Sequence, residues 1–348
     1  MRNPLAPLAV FALLSCAIPM LSMAVPPAEE PTAAAVPSAG ATAAPDQADG
    51  SGPASTAAPS QPTAADETFL VLDTGTGEVL TVPVRDYVLG SVASEMPVTW
   101  PDDALKAQAV ASHSYALYQK QHADRETLSG AFLSADPARR EGFMTDEVLR
   151  SYWGEAYAEN IARLGALVDE VLDQVLYYGD EPAAACYHAI SSGRTEASQN
   201  VWTQSLPYLQ GVDSAADRTA ADCAVSFTLT RTQMEDLLTV AFPDWTLPAD
   251  PAEWFGAVQY TDAGYVYTQQ VAGNPVRGTV LRRVLSLRSA CFTIAWQAEE
   301  QQFVLSTLGY GHGVGLSQYG ASAMALAGSS WADILAHYFP GTRVATLS

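Results

Sequence analysis

"VPVRDYVLGSVASEMPVTWPDDALKAQAVASHSYAL", residues 82–117, carries two helical patterns with a proline-marked break between them. Pro97 disfavours helical geometry at Met96, so one helix is expected over roughly Val84 to Met96 and a second over roughly Pro101 to Lys120, where Pro101 suits a first helical turn. Val88, Val92 and Glu95 fall at i, i+4 and i+7 and share the stripe that should face the interior. A carboxylate in the last turn meets the negative end of the helix dipole and is desolvated by Val92, Met96 and Trp100. Both effects raise its pKa toward what a general acid needs near neutral pH. The competing reading is a Glu95 that turns to solvent or pairs with Lys106 or Arg85. In the second helix Ala104, Ala107, Ala111, Ser114 and Tyr118 share a stripe whose small residues let another backbone approach. His113 lies off that stripe and is assigned no role; Asp102 and Asp103 read as acids at a helix N-terminus.

Outward from this stretch, helices and strands are interspersed without regular βαβ alternation, and the fold class is α+β. "TFLVLDTGTGEVLTVPV" (68–84) reads as a hairpin, a long helix as running from about Asp146 to Leu172, and "QVLYYGDEPAAACYHAI" as two strands around Gly179-Asp180. Thr232 and Glu235 have capping-box spacing for a helix through about Val240. A hairpin at "VQYTDAGYVYTQQV", a short helix at "VRGTVLRRVLSL", and strands at "ACFTIAW" and "QQFVLSTL" follow, and two helices from about Ser317 and Ser330 end the chain. The expected architecture is helices and short antiparallel strands in one large domain or two interlocked lobes over residues 67–348.

Residues 4–25 are uncharged and long enough to span a bilayer, and the favoured reading of 1–25 is a membrane anchor. A secretory signal cleaved after Ser22-Met23-Ala24 and a lipoprotein box ending at Cys16 are the alternatives; all three place the rest outside the cytoplasm. Residues 26–66, rich in Pro, Ala, Ser and Thr, read as a disordered tether. A net charge of −21 argues against nucleic acid or an anionic membrane surface as ligand. Cys186, Cys223 and Cys291 lack metal-ligand spacing; a Cys186–Cys223 bridge and buried free thiols are both open.

"LGYGHGVGLSQYGASAMA" (308–325) sets His312 among alternating glycines before a helical pattern. Its spacing matches no nucleotide-binding loop. Glycine permits unusual dihedrals and close approach, which leaves a flexible turn or a ligand laid against bare backbone.

"DYVLGSVASEMPVTWPDDALKAQAVASHSYAL", "CYHAISSGRTEASQNVW", "LPYLQGVDS", "LRSACFTIAW" and "GYGHGVGLSQYGASAMALAGSSWADILAHYFPGT" together, and in this order, resemble the stage II sporulation protein D family, with its SpoIID/LytB domain. The resemblance implies a lytic transglycosylase of peptidoglycan glycan strands that leaves 1,6-anhydro ends, with Glu95 of Glu95-Met96-Pro97 as single acid/base. It implies that His188, Ser191, Ser192, Gly193 and Arg194 form one wall of a glycan groove and that His312, Gln318 and Tyr319 form the other. It also implies glycan stripped of stem peptides as substrate and a cell-wall amidase, similar to stage II sporulation protein P, as partner. A non-catalytic glycan-binding enhancer of an amidase and a structural scaffold are the alternatives. Some family members hold zinc through a segment similar to "LSADPARREGFMT" (133–145), but here Arg139 and Arg140 stand where His and Cys are expected. No metal or cofactor is expected.

Overall fold

The computed structural model describes residues 67–202 and 204–347, so the anchor and tether read at 1–66 lie outside the described residues. The chain opens with β1 (Thr68–Asp73) and β2 (Val79–Pro83), antiparallel across a turn in which the Asp73 carboxylate accepts from the Gly75 amide at 2.8 Å. α1 (Val84–Glu95) follows at once, then α2 (Asp102–His122). The expected interior stripe is broader than periodicity suggests. Tyr87, Leu89, Gly90, Ser91 and Ala93 are buried along with Val88 and Val92, so α1 is enclosed on most sides.

α2 is the central rod. Its small-residue stripe does admit a backbone: the Ser114 hydroxyl accepts from the Leu176 amide at 2.8 Å while donating to the Val110 carbonyl. Around it lie β3 (Leu133–Ala135), parallel to β1, then α3 (Asp146–Trp153) and α4 (Tyr157–Val171). The single long helix expected from Asp146 to Leu172 is two helices, because Gly154 adopts φ 52° and ends the first. β4 (Gln174–Tyr178) pairs with β5 (Glu181–Pro182), and β6 (Tyr187–His188) and the short α5 (Ser198–Val201) complete this half.

A second apolar core is built by β7 (Ala224–Thr230), α6 (Arg231–Ala241), β8 (Phe255–Tyr260), β9 (Val266–Val271), β10 (Asn274–Arg277), α7 (Gly278–Val284), β11 (Phe292–Gln297) and β12 (Gln302–Leu308), around Trp254, Leu281, Phe303 and Leu305. The capping box of α6 lies two residues earlier than its spacing suggested. Thr230, the last residue of β7, accepts from the Gln233 amide, and the Gln233 side chain accepts from the Thr230 amide at 2.9 Å. The chain then returns to the first core through β13 (Leu316–Ser317), α8 (Gln318–Leu326), α9 (Trp331–Tyr338) and β14 (Arg343–Thr346). β13 pairs parallel with β6, and β14 pairs with β4. The fold is therefore mixed α+β, as expected, and it holds two apolar cores. The strands are mostly antiparallel, and β1–β3 and β6–β13 are the parallel exceptions.

One close approach fixes the wall beside α1. The Met144 amide donates to the Gly90 carbonyl at 3.2 Å, and a Cβ on Gly90 would lie 2.2 Å from the Met144 carbonyl oxygen and 2.6 Å from the Phe143 ring. Helix propensity alone favours Gly→Ala by about 1 kcal/mol. Here the overlap reverses the sign: Gly90→Ala is expected to destabilise by about 1–3 kcal/mol, read as a lower urea midpoint.

Candidate active site

Glu95 is the last residue of α1. Met96 turns extended (φ −131°, ψ 140°) while its amide still donates to the Val92 carbonyl, so the side chain leaves the helix where the unpaired carbonyls end. It enters a cleft lined by Tyr87, Tyr115, Phe132, Leu133 and Tyr187. Burial among these rings pushes the carboxyl from 4.5 up to about 7; the Gln318 amide, donating to Oε2 at 3.1 Å, opposes the rise, and the charge of Glu141 adds to it. Near neutral pH the group is thus close to evenly divided between acid and carboxylate. Burial also drives the Tyr187 hydroxyl well above its ordinary value, with the nearby Glu95 charge adding to the shift, and so keeps this wall neutral.

Neither cation that could pair with Glu95 reaches it. Arg85 binds Asp169 on α4 at 2.6 Å and Lys106 binds Glu170 on the same helix. Asp102, in the first turn of α2, binds Arg163, and Asp103 accepts from the Trp331 amide at 2.9 Å. Both acids anchor helices, as their position at an N-terminus implies.

Beneath the carboxylate runs a buried polar chain. Gln318 also donates to Gln108 Oε1 at 3.4 Å, Gln108 donates to Ser112 Oγ at 3.1 Å, and Ser91 donates to Ser112 at 3.2 Å and lies 3.4 Å from the Tyr187 hydroxyl. Gln108, Ser112 and Ser91 escaped the sequence reading, although each lies on a helix that reading had placed at the site.

The other predicted residues divide into two groups. Gln318 touches Glu95, and Tyr319 beside it stacks edge-on to Trp100 with ring centroids 6.4 Å apart, its hydroxyl 3.3 Å from Thr219 Oγ1. His188 and His312 face each other at 5.7 Å, with Trp202 at 5.0 Å from His312. His188 Nδ1 donates to the Val314 carbonyl, and His312 Nδ1 accepts from the Val314 amide. Burial lowers His188 to about 4 and His312 well below its ordinary value, so both rings are neutral at pH 7. Ser191, Ser192, Gly193 and Arg194 hydrogen-bond within the protein. The Ser191 amide donates to Asp217, the Ser192 amide to the Tyr265 hydroxyl, the Gly193 amide to Ser191 Oγ, and the Arg194 guanidinium to the Gly211 carbonyl.

The glycine-rich loop departs from expectation. Gly309, Gly311, Gly313 and Gly315 all have positive φ, as the pattern invites. The space beside them, though, is taken by the chain itself: a Cβ on Gly311 would meet His188 at 2.7 Å, and one on Gly315 would meet the Cys186 carbonyl at 2.1 Å. This bare backbone lies against residues 186–191 and, at Gly313, against Tyr265, where a glycan was expected to lie.

Cys186, Cys223 and Cys291 are free thiols, which excludes the Cys186–Cys223 bridge, and burial pushes Cys186 up to about 12. The 133–145 segment does not fit a zinc ion. Arg139 pairs with Asp136 at 3.5 Å, Arg140 lies over the Tyr152 ring, and Asp136 and Glu141 close the loop as a β-bridge. The Asp136 carboxylate, accepting from the Arg139 amide at 3.0 Å, caps the turn within this loop.

Residues 73–178 match the family model described as "Stage II sporulation protein". The chain is 30% identical to stage II sporulation protein D of Bacillus subtilis (strain 168) over 79% of this chain and 78% of that protein. The likeness to the Bacillus amyloliquefaciens protein of the same name is also 30%, over 79% and 77%. The amidase enhancer of Bacillus subtilis (strain 168) is 25% identical over 73% of this chain and 40% of its own length. The chain belongs to the stage II sporulation protein D family.

The pH dependence of stability follows from Glu95. A carboxyl at about 7 in the folded chain and 4.5 otherwise binds its proton more tightly when folded. Its contribution is fully present below pH ~4.5 and is lost as pH rises through ~7, at most about 3 kcal/mol. Glu95→Gln is therefore expected to match the wild type near pH 4.5 and to be the more stable protein at pH 8, measured by urea unfolding across that range. Glu141→Gln is expected to lower the Glu95 midpoint, read by carboxyl ¹³C titration.

Proposed function

We propose that the chain is a lytic transglycosylase acting on the N-acetylmuramic acid to N-acetylglucosamine bond of peptidoglycan glycan strands. The family and the likeness to an amidase enhancer support a cell-wall role in sporulation. The observation that carries the enzymatic reading is a half-buried carboxyl at about pKa 7, without a cation, opening into an aromatic-lined cleft.

Such a group can serve twice. As the acid, Glu95 protonates the bridging oxygen; the C1–O bond breaks, the leaving sugar departs as an alcohol, and positive charge develops at C1. As the carboxylate, Glu95 then takes the proton of the C6 hydroxyl while O6 attacks C1, which closes the 1,6-anhydro ring and restores the acid. The nucleophile is intramolecular, so the second catalytic carboxylate of most glycosidases is not needed. Gln318 orients the carboxylate, and Tyr319 with Trp100 offers rings for a sugar face. Peptide-stripped strands are the proposed substrate and a cell-wall amidase the proposed partner. The proposed location is outside the cytoplasmic membrane, held by the leader within 1–25; among the described residues no helix is long and apolar enough to cross a membrane.

The alternative is a glycan-binding module that assists an amidase, favoured by the amidase-enhancer relative. Mass spectrometry of peptide-free strands incubated with the full chain separates the two. Products one water lighter than hydrolysis products, lost by at least ~10³-fold with Glu95→Gln and unchanged by chelator, are the expected result. Reducing ends would mean that water attacks, and intact but bound glycan would support the enhancer.

A further inference from the structure

α8 begins abruptly. Ser317 is a strand residue paired with His188, and Gln318, the residue that touches Glu95, is the first residue of the helix. The direction in which the Gln318 side chain leaves the backbone therefore depends on how the chain turns at Ser317. That turn is capped by the Ser317 hydroxyl, which accepts from the Gly320 amide at 3.2 Å. A hydroxyl can accept there only if its proton is directed elsewhere, and here it is donated to Asp217 Oδ1 at 2.9 Å.

Asp217 is fully buried and lies 100 residues before Ser317 in the chain. Its second oxygen accepts from the Ser191 amide at 2.8 Å, which ties it to the 186–194 segment. Ser214, three residues earlier, hydrogen-bonds to the Tyr338 hydroxyl of α9 at 2.8 Å. The first turn of α8 is packed hard onto this group. A Cβ on Gly320 would lie 2.0 Å from the Tyr338 hydroxyl, 2.5 Å from Ser214 Oγ and 3.1 Å from Asp217 Oδ1. Burying an Asp with its oxygens aimed at a helix cap is costly unless those bonds are needed.

We infer that Asp217 is a positioning residue for the acid/base, acting through the Ser317 cap to hold the Gln318 amide on Glu95. The inference rests on the catalytic reading of Glu95 for its functional meaning, but its physical content is independent of glycan cleavage. Gln318 donates to the charged form of Glu95. When the brace fails, that donor withdraws and the carboxyl holds its proton to higher pH. The other groups facing Glu95 do not belong to the brace: Glu141 from the loop after β3, Tyr87 on α1, Tyr115 on α2 and Tyr187 on β6.

The test is the Glu95 midpoint in the full-length protein, read by ¹³C NMR of labelled glutamate carboxyls and assigned with Glu95→Gln. Ser317→Ala is expected to raise the midpoint by about one unit, as is Gln318→Ala, and the double variant is expected to move it no further than Gln318→Ala alone. Asp217→Ala should do the same where it folds; where it does not, Ser317→Ala decides. A Ser317→Ala protein whose Glu95 midpoint stays in place, or whose shift adds to that of Gln318→Ala, overturns the inference. So does a single-variant shift to lower pH. If these shifts appear but glycan stays intact in the wild type, the brace stands and the transglycosylase reading falls.

Discussion

A carboxylate at the end of a buried helix is the constraint around which this molecule is arranged. Among the described residues, Glu95 receives a side-chain hydrogen bond from Gln318, 223 residues further along the chain. Ionising a group among Tyr87, Tyr115 and Tyr187 is unfavourable, and a single neutral amide only partly offsets that cost. The two effects oppose each other, and the carboxyl settles near neutrality. A stronger partner such as a guanidinium would have fixed it as a carboxylate; no partner at all would have fixed it as an acid.

The surroundings keep stronger partners away. Arg85 and Lys106 sit on α1 and α2, and both turn to acids of α4, as Arg163 of α4 turns to Asp102. Pairs this exposed add little to stability, on the order of a few tenths of a kcal/mol each. Their consequence lies elsewhere: they occupy the cations near Glu95 in the sequence, and the residues that line the cleft carry no positive charge. Structural ion pairs of small energetic weight thus help to set the acidity of the proposed catalytic group.

How much of this was legible in the sequence depends on the range of the interactions. The two helices around Pro97, the hairpin before them, the helix starts near Ser317 and Ser330 and the place of Glu95 in the last turn of α1 follow from local rules of periodicity, proline and helix ends. The break at Gly154 interrupted a pattern that stays apolar on both sides, and nothing local marks it except the glycine itself. The capping box slipped by two because Thr230 and Thr232 both have a partner three residues on; the end of β7, fixed by pairing with β12, chose Thr230. The alternating glycines left a flexible turn and a close approach both open, and a sequence cannot say what approaches. Here it is residues 186–191 and Tyr265. Glu141 was invisible for the same reason, since only the fold of the loop after β3 brings its charge near Glu95.

The net charge of −21 does not account for the raised pKa of Glu95. At physiological ionic strength, charges more than about 8 Å away across solvent are largely screened. What acts on Glu95 is desolvation by its immediate walls, one amide and one neighbouring carboxylate. Desolvation and the amide depend on atomic positions at the cleft, and those positions depend on segments from both ends of the chain: α1 and the loop after β3 on one side, β6 and α8 on the other. Acidity is therefore a property of the assembled fold. A chain in which α8 were displaced by even an ångström would retain every residue of the site and lose its poise, because a hydrogen bond to a carboxylate weakens steeply once its geometry opens.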